Sequence, residues 1–342
     1  MQVKRLAIAL VAATPLFAAA QTNVQLYGIV DAAISSQDTG GPEGRQTVIN
    51  SGNQSSSRFG FRGTEDLGNG LKAVFNLEAG TSIDTGAGDS ALFGRRAVVG
   101  LEGGFGLVTL GREYSPIASV AAATDAFGQG FYGSNLSAFT TNRLTRRLSN
   151  SVNYKSSSFG GFKLLAAYSA GEAKTPTTPT VPSGDLKGVG AEYTLGGLYL
   201  GAAYHQINRI AADDDKETAF GAGYKFDQFG GLEIKANYMS ADREGALKYK
   251  QANLGGSIPF GANRVYANFQ QQKQGSAKGK TWAVAYSYSL SKRTNIYATY
   301  ASLDNNNLGV FGLTSSSVTV TPPANRLGED PSVFSLGLRH SF

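Results

Sequence analysis

From Thr22 to the C-terminus the large apolar positions recur with a period of two. Trp282, Val284, Tyr286, Tyr288 and Leu290 alternate with Thr281, Ala283, Ala285, Ser287 and Ser289. Phe220, Ala222, Tyr224 and Phe226 alternate in the same way with Ala219, Gly221, Gly223 and Lys225. Successive side chains leave a strand on opposite sides, so this pattern predicts strands with one greasy and one small or polar face. A soluble sandwich would bury the greasy face in a core. A membrane barrel would turn it to lipid and line its interior with the other face. Runs of about ten residues favour the barrel, because a tilted spanning strand needs ~9–11.

The breaks between runs sharpen the choice. Short connections fall at Asp66–Gly70, Gly103-Gly104, Ser158–Gly161, Gly196-Gly197, Phe229–Gly231, Pro259–Gly261 and Ser291–Arg293. Long polar stretches fall between them: Ser36–Gln54, Thr81–Ser90, 113–146, Glu172–Asp185, Asn208–Lys216, Ser240–Ala246, Gln271–Lys280 and Ser302–Asp330. Seven short turns and eight long loops join sixteen strands. Tight turns on one rim and long loops on the other are the outer-membrane arrangement, and closure leaves no open edge. Tyr154, Phe162, Phe226, Tyr297 and Tyr300, near strand ends, are expected to form interfacial girdles. A barrel this wide leaves an aqueous channel. The fold class read from this pattern is all-β, a 16-stranded antiparallel transmembrane barrel.

One long stretch, 113–146, is rich in groups worth burying: Phe127, Phe131, Tyr132, Leu136 and Phe139. Ser115-Pro116 followed by 117–123 predicts a capped helix of about two turns. Asp125 follows, and Arg143, Arg146 and Arg147 close the segment. The expectation is a third loop folded into the lumen, its carboxylate facing arginines on the wall.

The first twenty residues look like a secretory signal, with Lys4-Arg5, the apolar run Leu6–Ala13 and Ala18-Ala19-Ala20 at the cleavage site. The division expected is 1–20 signal peptide and 21–342 barrel. Without Lys4 and Arg5 the chain carries 29 basic against 25 acidic residues. That balance is too mild to argue for nucleic acid. There is no cysteine, hence no disulfide framework and no thiolate chemistry.

Several ordered motifs resemble the general diffusion porins of beta-proteobacteria. They are Leu26-Tyr27-Gly28-Ile29-Val30-Asp31, the stretch Ser57–Gly68, the stretch Phe93–Leu101, Asn150-Ser151-Val152-Asn153-Tyr154, and the terminal Gly337-Leu338-Arg339-His340-Ser341-Phe342. The resemblance implies a homotrimer in the cell outer membrane, among outer-membrane lipid and lipopolysaccharide. It implies assembly by the outer-membrane barrel assembly machinery, with Phe334, Leu336, Leu338, His340 and Phe342 as the C-terminal signal. It also implies passive passage of small hydrophilic solutes and anions through a constriction, with no cofactor and no metal.

Arg58 and Arg62 stand four apart on one strand, opposite Phe59 and Phe61 in parity, so both should meet water. By resemblance, Arg58, Arg62, Arg95 and Arg147 match the basic wall of the constriction. Asp125, Glu113 and Gln129 match the loop that faces it, Gln129 standing where many relatives carry a second acid. Of Arg95 and Arg96 only one should face inward, and the motif favours Arg95. Asp31 and Glu78 should also project inward. Fixed positive charge against little negative charge enriches anions in a narrow pore, so weak anion selectivity is expected. The competing reading is a substrate-specific channel for an anionic nutrient.

Other chemistry finds no support. Gly128-Gln129-Gly130-Phe131-Tyr132-Gly133 matches G-x-G-x-x-G but neither follows a strand nor opens a crossover helix. His205 and His340 are the only histidines, too few for a metal set without cysteine. Asp213-Asp214-Asp215 with Glu217 reads as a solvated loop run rather than a cation site. A barrel lipase would need a serine motif-linked to a histidine, and no G-x-S-x-G exists. A plugged barrel serving as an adhesin differs from a channel in having almost no conductance.

Overall fold

The computed structural model describes residues 23–140, 143–171, 184–209 and 213–342. The expected signal segment 1–20 and the proline-rich stretch 175–182 lie outside the described residues. The strands are β1 (Asn23–Asp38), β2 (Gln46–Ser51), β3 (Arg58–Gly68), β4 (Leu71–Gly80), β5 (Arg96–Gly103), β6 (Gly106–Tyr114), β7 (Arg147–Lys155), β8 (Phe162–Ser169), β9 (Leu186–Leu195) and β10 (Leu198–Ile207). They continue as β11 (Asp215–Phe226), β12 (Leu232–Asp242), β13 (Tyr249–Phe260), β14 (Asn263–Gln274), β15 (Ala277–Ser289), β16 (Thr294–Asn305), β17 (Leu313–Thr314), β18 (Thr319–Val320) and β19 (Ser332–Ser341). One α-helix, α1 (Pro116–Ala123), lies between β6 and β7.

All strands except β17 and β18 form one antiparallel sheet, and β1 meets β19 so that the sheet closes. β2 pairs with the Ala32–Gln37 end of β1 and β3 with its Asn23–Ile29 end. They are two halves of one stave, parted at residues 52–57, so the cylinder has sixteen staves. Closure satisfies every ladder amide and carbonyl inside the sheet, which hydrocarbon requires.

Alternation sorts the faces. Leu26, Phe61, Val99, Phe220, Trp282 and Phe334 are exposed on the outer side. Asn237, Gln251, Gln270, Thr281 and Thr299, at the opposite parity, are buried inside. Two expectations fail here. Gln271–Lys280 is not a long loop, because β14 and β15 run on to a tight turn at Gly275-Ser276, with Gly275 at φ +58°. Both faces of these strands are polar at the water-filled rim, which erases the period. Tyr297 is no girdle residue, since it points inward and donates to Asp31 Oδ1 at 2.5 Å.

The predicted helix forms at its predicted start. Ser115 Oγ accepts from the Ala118 amide at 3.1 Å, and Pro116 occupies the first turn, where no amide hydrogen bond is needed. Ile117, Val120 and Ala121 are buried against β9, β10 and β11. Thr124 ends the helix over Gly221, where a Cβ would lie 2.5 Å from Thr124 Oγ1. Beyond it Phe127 and Phe131 meet edge-on at 5.8 Å, and Phe131 meets Tyr297 at 5.5 Å. The loop's carbonyls then take hydrogen bonds from inward side chains. Gly133 accepts from Asn268 at 2.6 Å, Ser134 from Gln270 at 3.1 Å and Asn135 from Gln251 at 3.1 Å. The described parts of this stretch, 115–140 and 143–146, are therefore laid along the inner face of β9–β16.

Candidate functional site

Across the interior from that loop, arginines gather on β3–β7. Arg58 and Arg62 extend from one face of β3, as their spacing requires. Glu78 on β4 is the acid between them and the next strand: Arg95 donates to its Oε1 at 2.6 Å and Arg58 Nε lies 3.5 Å from Oε2. Tyr27 also donates to Glu78 at 3.0 Å. Arg62 lies further toward the short-turn rim, where it donates to Gln25 at 2.9 Å and stacks 4.9 Å above the Tyr27 ring.

Tyr114, the last residue of β6, joins the other half of the cluster. Its hydroxyl accepts from Arg95 at 3.2 Å and from Arg147 at 3.0 Å, while Arg147 sits 4.8 Å over its ring. Arg146 lies 5.7 Å from the same ring and donates to Gln129 at 2.9 Å. Burial among like charges pushes the Arg146 guanidinium down to about 10, still a cation at neutral pH. Glu78 is thus shared by two arginines, whereas among the described residues Arg146, Arg147 and Arg62 have neutral partners only.

The expected division between Arg95 and Arg96 does not hold. Arg96 stands opposite Glu78 in register, on the inward face of β5, and pairs with Glu113. Arg95 precedes the strand, is not bound by alternation, and turns to the same side. Glu113 is not a loop acid either: it is the penultimate residue of β6, and its other oxygen accepts the Tyr114 amide at 2.8 Å.

Asp125 departs furthest from expectation. It is 1 % exposed and faces no arginine. Its carboxylate instead accepts from the amides of Gln129 at 2.7 Å and Phe127 at 3.4 Å, folding the turn after α1. Burial pushes its pKa up to about 6 against these hydrogen bonds. Of the three residues named from sequence, Gln129 reaches Arg146 from a left-handed backbone at φ +56°, Glu113 pairs with Arg96 at the end of the strand, and Asp125 meets neither. Asp215 and Glu217 are no solvated run: both are fully buried, Asp215 on Arg209 and Arg243, Glu217 on Arg243 and His205.

Sequence reasoning passed over Arg339, which donates to Ser55 at 3.0 Å opposite Asp31. Its parity with Ser335, Gly337 and Ser341 already placed it inward. On the other face of β19, Phe334, Leu336 and Leu338 are exposed, and His340 Nδ1 is 2.8 Å from Thr294 Oγ1. Phe342 exchanges backbone hydrogen bonds with Gly28 at 3.1 Å in both directions. Its ring covers Gly28 so closely that a Cβ there would fall 2.3 Å from Phe342 Cζ.

A closed barrel, apolar outside and polar within, crossed by an arginine-lined passage, defines an outer-membrane channel. A family model described as Gram-negative porin matches residues 7–308, and the chain belongs to that family. It is 32% identical to outer membrane porin protein 32 of Delftia acidovorans over the full length of both chains. It is 30% identical to an outer membrane porin protein of Bordetella pertussis, covering 86% of this chain and 92% of that one. Among solved structures, the anion-selective porin from Comamonas acidovorans superposes with a TM-score of 0.81 at 29% identity, over 94% of this chain and 100% of that one. The protein is an outer-membrane porin, a passive route for small hydrophilic solutes and ions.

Proposed function

We propose that the constriction is weakly anion-selective, with Arg58, Arg62, Arg95 and Arg147 as its basic wall and Gln129 as the part of the loop that meets it. Asp125 and Glu113 serve other purposes, one folding the loop and the other neutralising Arg96. The observation that carries the reading is charge imbalance, because Arg146 and Arg147 face only Tyr114 and Gln129. Uncompensated cations along a narrow aqueous path raise the local concentration of anions. The anion-selective title of the Comamonas structure supports the same sign. Reversal potential across a planar bilayer under a salt gradient tests it: the sign should be that of anion preference, and cation preference would refute it.

A second reading, a channel specific for an anionic nutrient, has one observation in its favour. The Nε atoms of Arg146 and Arg147 are buried without an acceptor, and a small oxyanion could supply one. Saturable block of single-channel current by such an ion would favour this reading; conductance indifferent to it favours general diffusion.

The same family membership supports a homotrimer among lipopolysaccharide, exported by a cleaved segment 1–20. It also supports assembly through the terminal strand, with Phe334, Leu336, Leu338, His340 and Phe342 as the surface that the assembly machinery reads.

A further inference from the structure

A neutral side chain gathers part of the arginine wall. Tyr114 is the last residue of β6, immediately before the Ser115-Pro116 start of α1. The ladder between β6 and β7 shifts register between Gly111 and Glu113, with Gly111 at φ +123° and Asn150 at φ +51°. A Cβ on Gly111 would lie 2.2 Å from the Ala97 carbonyl oxygen, so the shift depends on glycine. Beyond it Tyr114 stands directly opposite Arg147, half-buried, at the point where the lumen loop leaves the wall.

Two guanidiniums meet on its phenol oxygen. Arg95 is held at both ends, by Nε on Glu78 and by Nη2 on the Tyr114 hydroxyl, while Arg147 brings its own Nη2 to the same oxygen. Those two donors use the acceptor capacity of the phenol, so its own O–H must turn elsewhere, and among the described residues no acceptor takes it. A carboxylate at this position would orient the same arginines and cancel one of their charges; a phenol orients them and cancels none. Charge alone does not rank monovalent anions of similar size. Donors held in fixed directions do, because an anion that accepts strong hydrogen bonds recovers more of its lost hydration there.

We propose that Tyr114 is the residue that sets the order of preference among anions at the constriction: it fixes the donor directions of Arg95 and Arg147 and adds its own O–H to theirs. Strong hydrogen-bond acceptors thereby pass ahead of weak ones of the same charge and similar size. The inference rests on the anion-selective reading but is separable from it. The guanidinium charges set the ratio of anions to cations, and the phenol sets the order within the anions.

The test is the bi-ionic reversal potential of the purified full-length protein in a planar bilayer, with formate on one side and nitrate on the other. Both are small, planar and monovalent, and formate is the stronger acceptor. The wild type should favour formate beyond the ratio of the two mobilities in free solution. Tyr114→Phe keeps the ring beneath Arg147 and removes the hydroxyl. Its formate-to-nitrate permeability ratio should fall about fivefold, as for the loss of one hydrogen bond. Its anion-to-cation ratio in a potassium chloride gradient should stay within about twofold of wild type, because no charge changes. A merely structural role would move both ratios or neither. Tyr114→Leu carries the same readout if Tyr114→Phe does not fold. An unchanged formate-to-nitrate ratio in the folded variant overturns the proposal, as does a wild-type ratio equal to that of free solution. Cation preference of the wild type in the chloride gradient would instead overturn the anion-selective reading beneath it.

Discussion

The double substitution Arg58→Ala with Arg147→Ala separates electrostatic selectivity from mere sieving. Among the described residues Arg147 has no anionic partner and Arg58 has a half-share of Glu78, so their charges act on the lumen with little offset. An ion passing ~6 Å from one guanidinium in water feels ~0.7 kcal/mol, which screening at 0.1 M salt cuts to ~0.4 kcal/mol. Anions gain what cations lose, so each removal changes the permeability ratio about fourfold, and the pair about tenfold where their fields overlap. Reversal potential under a salt gradient reads this directly. Arg147→Lys keeps the charge while giving up the Tyr114 stacking, and should stay within about twofold of wild type. A double-alanine variant whose reversal potential superimposes on that of wild type would refute the electrostatic account. The two shorter side chains should also raise conductance, but widening alone does not move the reversal potential this far.

Gly28→Val should lower the yield of folded barrel, since its Cβ would meet Phe342 Cζ at 2.3 Å and the Arg58 carbonyl oxygen at 2.8 Å where the sheet closes; overpacking of this kind costs about 1–3 kcal/mol, and heat-modifiable gel mobility gives the readout. Deleting Phe342 should impair assembly rather than conductance, and a normal yield of folded barrel in the outer membrane would count against that. Glu217→Gln should loosen both ends of the lumen loop, because Glu217 accepts the Thr145 amide at 2.9 Å and holds His205, whose Nε2 accepts the Ile117 amide at 3.4 Å; removing one member of a buried charge group costs about 3–5 kcal/mol, seen as added single-channel noise at unchanged reversal potential. Asp125, titrating at about 6, loses its negative charge as pH falls through that value, so anion preference should rise between pH 7.5 and 5; in Asp125→Asn this component of the rise should be absent.

How far the sequence was legible depends on how many forces act on a position. Sixteen staves could be read because lipid on one side and water on the other impose a period of two over most of the chain. Ser115-Pro116 could be read because a cap and a fixed φ act within four residues. The period disappears where both faces meet water, so Gln271–Lys280 looks like a loop although it is two strand ends and a turn. It also misleads where the interior is filled: Tyr297 carries an aromatic ring inward because Phe131 of the loop is there to receive it.

Charge was the least legible property, and the arginines show why. Parity assigns a side only to residues inside a ladder, and Arg95 and Arg146 each lie one residue before a strand begins. Both therefore join neighbours whose parity they do not share, so a cluster counted by alternation comes out too small. The acids err in the other direction. A carboxylate in a loop with several free amides near it satisfies those amides first, as Asp125 does. One beside a buried histidine and arginine is spent on them, as Glu217 is. Alternation undercounts the cations of this lumen and overcounts its anions, and both errors place more net positive charge on the passage than the sequence suggested.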